Sequence, residues 1–451
     1  MRGLVLPVTS ATRRDGPHSA GRRLRTAAAA LALAVTCLSG CAGRSGNGVT
    51  EIVYWTGWSG HELDVQRDLI REFNATHPTV HVRILSQFGN SGYQKVRIAF
   101  AGGATPDVMS TVWADELASY AMRGVLSPLD GYLQSAGRSL EKEWVPGVAR
   151  MLRVDGKCYG LAVSASSSFI AYNRAVFRDA GLDPAKPPLD TAALDADAKA
   201  CTKYDPSGDF ARYGFRPATL SLWAYVFGGQ WYDARTGRIT ANNAANVAAL
   251  TWMASYGKKY DLKRMTSFQT TFGSSETPAG PFYVGKVAME TTGEWEREFV
   301  NRYAPGLDWG WTALPAPPGG RKNTTTAGGS VFVIPTACRH KQAAWEFLNW
   351  ISGAHAVKKF CWGIKNMPPL QEVLRDPQFA SDPLYRFATP IVSGENSFGP
   401  PPIPIWPLYS REISRAEEAA MLGGGDPKAL LDDLQLRMEG ELRRALRDLG
   451  R

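Results

Sequence analysis

The sequence predicts an α/β fold built on a mostly parallel sheet. Strand and helix patterns alternate from residue 52 onward in the order β-α-β-α-β-α, which calls for strands side by side with helices on both faces. The chain has 451 residues, with 44% hydrophobic and 21% charged, a globular composition. That length is enough for more than one domain.

The first strand and helix have the clearest signals. Residues 52–55 alternate within a short apolar run, as a strand does. Residues 59–62 fit the S-x-x-E capping box, in which Glu62 reaches back to the amide of Ser59. The apolar residues behind this box fall on one helical face, and Pro78 marks the end of the helix; they are Leu63, Leu69, Ile70 and Phe73.

Two further strand–helix pairs follow. Val80, Val82 and Ile84 alternate as a second strand, and a helix near residues 93–101 ends at two glycines. Residues 105–109 begin a third strand, and a helix over 115–122 closes on Gly124.

The stretch 282–296, FYVGKVAMETTGEWE, combines a strand end with a possible ligand site. Residues 284–289 are predicted as a buried strand, and residues 291–293 break it and start a helix. Trp295 stands there among Glu290, Glu294 and Glu296, which suits a sugar: the ring covers a C–H face while the acids accept hydroxyl protons. The alternative is a half-buried Trp on an amphipathic helix with solvated acids.

Residues 1–40 have the layout of an export signal. Arginine pairs precede an apolar segment over residues 26–35, which is too short to span a bilayer. The residues LSGC at 38–41 resemble the lipobox of bacterial lipoproteins, which implies a diacylglycerol on Cys41 and a polar tether over residues 41–49. The arginine pairs leave both Sec and twin-arginine export open.

Net charge and cysteine content argue against a nucleic-acid-binding protein and against a metal site. Removing residues 1–40 lowers the net charge from +9 to +4, because six Arg and one Asp are lost, and no basic block remains to indicate nucleic-acid binding. No CxxC occurs, so neither a metal nor a cofactor is expected. Four later cysteines suggest two disulfides in an oxidising compartment; of three pairings we favour the pairs nearest in sequence, Cys158–Cys201 and Cys338–Cys361.

A family resemblance covers nearly all of residues 50–370. Its segments occur in the family's order and include YWTGWSG, EFNATHP, YQKVRIAFAGGATPDVM, FIAYNRAVFRDAGLDPAKPP, GKVAMETTGEWE and FVIPTACRHKQAAWEFLNWISG. They resemble the family 1 extracellular solute-binding proteins, the maltose-binding-like receptors of ABC importers. The resemblance implies a monomeric receptor on the extracytoplasmic face of the membrane. Its partners would be a mono- or oligosaccharide, the permease subunits, and the membrane through the Cys41 lipid.

The resemblance also implies a periplasmic-binding-protein-like fold of two discontinuous lobes joined by crossing hinge strands. Lobe one would hold residues 50–160 and 287–327, and lobe two residues 163–284 and 328–399. The crossings would lie near residues 161–164, 281–286 and 327–331. Residues 400–451 would form a helical tail that docks on the lobes through residues such as Leu430, Leu434, Met438 and Leu442.

Carried onto this chain, the resemblance selects candidate ligand contacts near strand ends and crossings. They are Trp58, Ser59, Gln87, Asp107, Trp113, Ser166, Ser167, Trp223, Tyr225, Glu290, Trp295, Gly329 and Asn366. Each has a structural alternative: Asp107 can cap a turn, and Trp223 can belong to the core of a lobe. Small hydroxyls stand at 166–168 and 330, where relatives often carry larger or charged groups, and this leaves the identity of the ligand open.

Competing functions are an enzyme, another ligand class and a structural role. A lipid-anchored glycoside hydrolase would need two carboxylates across a cleft, and Glu290 and Glu294 straddle a predicted strand–helix break instead. The G-x-S-x-G and H-E-x-x-H motifs are absent, so no catalytic residue is assigned. A non-sugar ligand such as a glycerophosphodiester stays open. A purely adhesive lipoprotein would not need the importer-receptor pattern.

Overall fold

Parallel strands alternating with helices open the described chain, as the sequence predicts. The structure, a computed structural model, describes residues 48–87, 90–272 and 277–451, without the side chains of residues 90–93, Thr111 and Trp113. Its first elements are β1 (Thr50–Thr56), α1 (Gly60–Thr76), β2 (Val80–Ser86), α2 (Asn90–Gly102), β3 (Val108–Trp113) and α3 (Ala114–Met122). Both β2 and β3 pair in parallel with β1.

The predicted signal segment and Cys41 lie outside the described residues. Within the described part, none of the helices combines the length and the apolar character that a membrane span needs. Residues Thr50–Arg451 form one compact unit.

Helix α1 follows its sequence pattern closely. Its predicted apolar residues are buried, and Ser59 occupies the N-cap position with an extended backbone. The predicted capping box is not completed, because the Ser59 side chain makes no capping hydrogen bond.

The remaining elements are short in the middle of the chain and longer at its end. Up to residue 179 they are α4 (Asp130–Ser135), α5 (Leu140–Glu143), α6 (Pro146–Met151), β4 (Arg153–Val154), β5 (Lys157–Cys158), β6 (Leu161–Ala162), β7 (Phe169–Asn173) and α7 (Arg174–Asp179). Up to residue 313 they are α8 (Thr191–Cys201), β8 (Lys203–Tyr204), β9 (Phe210–Arg212), α9 (Leu220–Val226), β10 (Tyr232–Asp233), β11 (Arg238–Ile239), α10 (Ala244–Tyr260), α11 (Leu262–Thr270), β12 (Met289–Thr292), α12 (Glu296–Tyr303) and β13 (Trp309–Ala313). The last are β14 (Thr325–Thr326), β15 (Ser330–Val333), α13 (Lys341–Ile351), α14 (Ala354–Ile364), α15 (Gln371–Leu374), α16 (Pro377–Ala380), α17 (Pro383–Val392), β16 (Ser397–Phe398), α18 (Trp406–Met421) and α19 (Pro427–Asp448).

The two larger of three hydrophobic clusters among the described residues divide the compact unit into two bodies. The first body surrounds a five-stranded sheet in the order β2-β1-β3-β15-β6, and its buried residues come from positions 52–165 and 327–392. The second body contains the sheet β12-β7-β13, and its main core comes from positions 170–316 and 403–442.

The predicted division of the lobes is wrong in its second half. The segment 287–327 was assigned to lobe one, yet its strands β12 and β13 flank β7 in the second body, with Glu290 and Trp311 both opposite Ala171. The segment 328–399 was assigned to lobe two, yet β15 pairs with β3 and β6 in the first body. Both segments contain short apolar strands, and such a strand does not indicate which of two sheets it joins.

The chain crosses between the bodies three times. The first two crossings, near residues 165–169 and 326–330, fall within a few residues of the prediction. The third is wrong: residues 281–286 form a turn in the second body, and the chain crosses near residues 392–403 instead. Hydrogen bonds tie the crossings together, because β14 pairs with β16 and the Ser168 amide donates to Thr325 Oγ1 at 2.8 Å.

The tail after the third crossing folds as α18 and α19. Leu434, Met438 and Leu442 are buried in the second body's core, and Leu430 packs at its edge.

Both predicted disulfides are wrong, because Cys158, Cys201, Cys338 and Cys361 are free, buried thiols. The first pair is divided between the two bodies. In the second pair, Cys338 donates to Asp107 and Cys361 to the carbonyl of Val163. Proximity in sequence therefore did not place either pair within bonding reach.

Candidate functional site

A cavity of about 490 Å³ opens between the two bodies. It lies at the edge where β1 ends, because its lining starts with the residues that connect β1 to α1. Open α/β sheets bind ligands at the carboxyl ends of their strands. The lining residues are Trp58, Ser59, Gly60, His61, Glu62, Ser164, Ser166, Trp295, Glu298, Phe299, Arg302, Tyr303, Gly329, Ile364 and Asn366.

Trp58 provides an aromatic wall from the first body. Its indole Nε1 donates to Ser330 Oγ at 3.3 Å, and its ring meets Phe360 edge-on with centroids 6.2 Å apart. The Ser330 amide in turn donates to Ser164 Oγ at 3.0 Å. The small hydroxyls at the crossings therefore hold Trp58 in place.

Trp295 provides the opposing wall from the second body. It stands between β12 and α12, so the predicted strand–helix junction is present. The predicted strand over residues 284–289 is wrong, because β12 covers Met289–Thr292 and so includes two of the residues predicted to end it. Gly293 allows its packing: a Cβ on Gly293 would lie 2.1 Å from the Trp295 ring and 2.6 Å from the Ser167 carbonyl oxygen. A close approach of this kind requires glycine.

The first turns of α12 complete this wall. Arg302 lies four residues after Glu298 and three after Phe299, so the three share one helical face. Arg302 donates to Glu298 at 3.0 Å, which leaves this pair with no net charge toward the cavity.

Three acids near Trp295 are turned away from the cavity. Glu294 is fully buried and accepts from the Ser167 amide at 2.9 Å, the Ser167 hydroxyl at 2.8 Å and the Met367 amide at 3.1 Å. Burial raises its pKa to about 7 despite these donors. Glu296 accepts from Tyr283 and Thr292, and burial together with the charge of Glu296 raises the pKa of Glu290 well above its usual range.

The cavity brings together six of the predicted contacts: Trp58, Ser59, Ser166, Trp295, Gly329 and Asn366. They come from the β1–α1 loop, two crossings, the β12–α12 junction and the segment after α14, so only the fold makes them neighbours. Their contact with a ligand stays a prediction.

A seventh predicted residue, Tyr225, lines an adjacent cavity of about 350 Å³ that shares Gly329 with the first. Its ring stacks on Phe398 with centroids 4.3 Å apart and 3° between the planes. The sequence did not indicate Phe398 or Trp406, which also line this cavity, because Phe398 lies in the unpredicted third crossing and Trp406 follows it. The side chain of Trp113 lies outside the described residues.

The structure assigns other roles to three predicted contacts. Asp107 stands at the amino end of β3, away from the cavity, and its carboxylate accepts from the Val53 amide at 2.9 Å. Trp223 is fully buried in the second core, where it packs against Phe215 and Trp252. Glu290 sits within β12 and does not line the cavity.

Two predicted contacts lie close to the cavity without lining it. The hydroxyl of Ser167 is buried and donates to Glu294. Gln87 follows β2, and its backbone amide donates to the Thr56 carbonyl at 2.7 Å. Among the described residues its Oε1 has no hydrogen-bond partner.

Four of the nine lining residues that the sequence analysis missed carried a usable signal. Glu298, Phe299 and Arg302 follow Trp295 at helical spacing, and Ser164 stands two residues before Ser166. His61, whose Nε2 lies 3.0 Å from the Gly363 carbonyl oxygen, offered no such signal, because its position depends on packing between α1 and α14.

The comparisons with known proteins agree on one family. The model of the family described as bacterial extracellular solute-binding protein matches residues 63–358. Among curated proteins, the chain is similar to a maltotriose-binding protein of Pyrococcus abyssi, with 24% identity over 75% of this chain and 70% of that protein. It is also similar to an uncharacterized lipoprotein of Streptomyces antibioticus, with 25% identity over 77% of each.

Among solved structures, the chain resembles CpMnBP1 with mannotriose bound. The TM-score is 0.78 at 26% sequence identity, and the match covers 86% of this chain and 99% of that one.

Proposed function

The chain belongs to the bacterial extracellular solute-binding proteins, and we propose that it is the receptor that captures an oligosaccharide for an ABC importer. The sugar binds between the two bodies, which close around it. Ligand then shifts the equilibrium toward the closed form, because only that form engages the sugar from both sides.

The observation that carries this proposal is the pair of indoles on opposite walls. Trp58 comes from the first body and Trp295 from the second, and both line a cavity of about 490 Å³ with the polar groups of Ser59, Ser166 and Asn366. Flat aromatic faces with a few polar groups suit the alternating C–H and O–H surface of a sugar. The relatives named for maltotriose and mannotriose support an oligosaccharide.

The charges around the cavity support a neutral ligand over a glycerophosphodiester. Arg302 is the one Arg or Lys among the described lining residues, and its guanidinium already pairs with Glu298. A phosphate is held best by unpaired cations or by several donors directed at it. Glu62 adds a carboxylate to the wall, which disfavours an anion.

Two observations support binding over catalysis. The matched family and the similar structure are binding proteins. Hydrolysis by Glu290 and Glu294 would need carboxylates that reach the sugar, whereas Glu294 is fully buried and neither residue lines the cavity.

Delivery requires the receptor to stay near the permease. A diacylglycerol on Cys41 would hold the compact unit close to the membrane and raise its effective concentration there. The lipobox-like residues LSGC and the similar lipoprotein of Streptomyces antibioticus support this anchor.

The test uses a chain that starts at residue 42 and so retains the compact unit. We would titrate it with maltotriose, mannotriose, glucose and glycerophosphocholine by calorimetry, and recover each ligand for chromatography. We expect saturable binding of a trisaccharide that is recovered intact, and at least tenfold weaker binding in Trp58→Ala.

The matched control is Trp309→Ala, which removes a half-buried indole in β13 that lies outside the cavity. It should leave the affinity unchanged. Recovery of hydrolysed trisaccharide would show that the protein is a glycosidase and overturn the receptor proposal. Selective binding of glycerophosphocholine would show that the ligand is a phosphodiester and not a sugar.

A further inference from the structure

One buried carboxylate joins three segments behind the cavity. Glu294 belongs to the junction between β12 and α12, Ser167 to the first crossing, and Met367 to the first body's core. The three hydrogen bonds that the Glu294 carboxylate accepts from other residues come from these two partners, so it links the second body to the first.

Each of these three residues is the chain neighbour of a residue that lines the cavity. Ser166 precedes Ser167, Trp295 follows Glu294, and Asn366 precedes Met367. Ser166, Trp295 and Asn366 all line the cavity. The carboxylate therefore fixes the backbones of three walls relative to one another.

Packing alone does not account for an acid at this position. Among the described residues, its hydrogen-bond donors are neutral amides and a hydroxyl, and no Lys or Arg donates to it. A buried carboxylate without a cation is costly, and an apolar side chain would fill the space at lower cost. The nearby titratable groups are the Cys361 thiol and the Tyr385 phenol; behind Tyr385, Arg297 pairs with Asp382.

We propose that Glu294 is a positioning residue for the ligand: it sets the spacing of Ser166, Trp295 and Asn366 across the two bodies. The effect on sugar affinity rests on the proposed function, whereas the effect on Trp295 does not.

The first experiment therefore needs no sugar. The chain from residue 42 is labelled with 5-fluorotryptophan, and the ¹⁹F resonance missing from Trp295→Phe identifies Trp295. In Glu294→Gln one accepting oxygen becomes an NH₂ group that faces a donor, so we expect the Trp295 resonance to shift and broaden. The matched control is Glu296→Gln, a buried acid that also neighbours Trp295 in the chain and accepts from Tyr283 and Thr292; the Trp295 resonance should move less in this variant than in Glu294→Gln.

A pH titration separates positioning from general loosening. The wild-type Trp295 resonance should move with a midpoint near the pKa of Glu294, about 7, and Glu294→Gln should abolish that step. Glu290 lies in β12, just before Trp295, and its pKa is also raised by burial. A step that persists in Glu294→Gln would therefore assign the titration elsewhere and overturn the inference.

Sugar binding is measured last. For maltotriose or mannotriose, whichever binds, we expect Glu294→Gln to weaken affinity at least tenfold and Glu296→Gln less than threefold. If neither sugar binds the wild type, the proposed function fails while the fluorine result still decides the inference. If Glu294→Gln does not fold, Ser167→Ala removes one of the three donors, and an unmoved Trp295 resonance there would overturn the inference.

Discussion

Replacing Glu294 with Gln should remove a large pH dependence from the stability of the fold. The carboxyl is fully buried, and burial raises its pKa from 4.5 to about 7. Glutamine has a similar shape and does not titrate in this range. The comparison of wild type and variant therefore isolates one proton.

The sign follows from which state holds that proton. Between pH 4.5 and about 7 the folded chain keeps Glu294 protonated while the unfolded chain has released the proton. Raising the pH through this window therefore lowers the free energy of unfolding, by about 1.4 kcal/mol per pH unit at most. Over a window of about two and a half units, the wild type should lose about 3 kcal/mol relative to Glu294→Gln.

The assay is guanidinium unfolding of both proteins from about pH 4.5 to about pH 8, followed by fluorescence and circular dichroism. The two signals must coincide for two-state analysis to hold, because two cores can unfold separately. Other raised acids, such as Glu417, titrate in both proteins and cancel in the difference. Parallel pH profiles for the two proteins would refute the reasoning and show that Glu294 titrates as it does in water.

Three further predictions concern the fold around the cavity. Gly329→Ala should destabilise by about 2–4 kcal/mol and weaken sugar binding in calorimetry, because Gly329 has φ +136° and a Cβ there would lie 2.0 Å from the Ser164 carbonyl oxygen; wild-type stability would contradict this backbone. Trp223→Ala should cost about 3–5 kcal/mol in denaturant unfolding because the indole is fully buried, and a loss of sugar affinity without loss of stability would return Trp223 to the site. In the denatured chain from residue 42, a thiol reagent should label four cysteines without reductant, whereas labelling of none would restore the two disulfides.

Local signals in the sequence predicted the first half of the fold well and its long-range pairing poorly. The strand alternation at β2 and the stop at Pro78 depend on neighbouring residues, and both are found in the structure. The third strand starts three residues later than predicted because Asp107 is used otherwise: its carboxylate bonds to the Val53 amide across the sheet edge. Assigning β12 and β15 to sheets required contacts with residues more than a hundred positions away.

The helix α9 shows why some site residues could not be predicted. Trp223 and Tyr225 are two residues apart, which places them about 200° apart around a helix. Both are buried in the second core, and of the two only Tyr225 also lines the adjacent cavity. A helix of seven residues without clear periodicity does not indicate which of two buried aromatic side chains also reaches a cavity.

Glu294 shows the same limit for a charged residue. An acid beside Trp295 in the sequence is expected near solvent or ligand, because burying a carboxylate is costly unless donors meet it. Here three donors offset part of that cost, and the pKa stays raised to about 7. The donors belong to Ser167 and Met367, which lie 127 and 73 residues away along the chain. Trp295 lines the cavity, whereas the neighbouring Glu294 is buried behind it. The distant donors decide which of these two adjacent side chains faces the ligand, so the assignment depends on the folded structure.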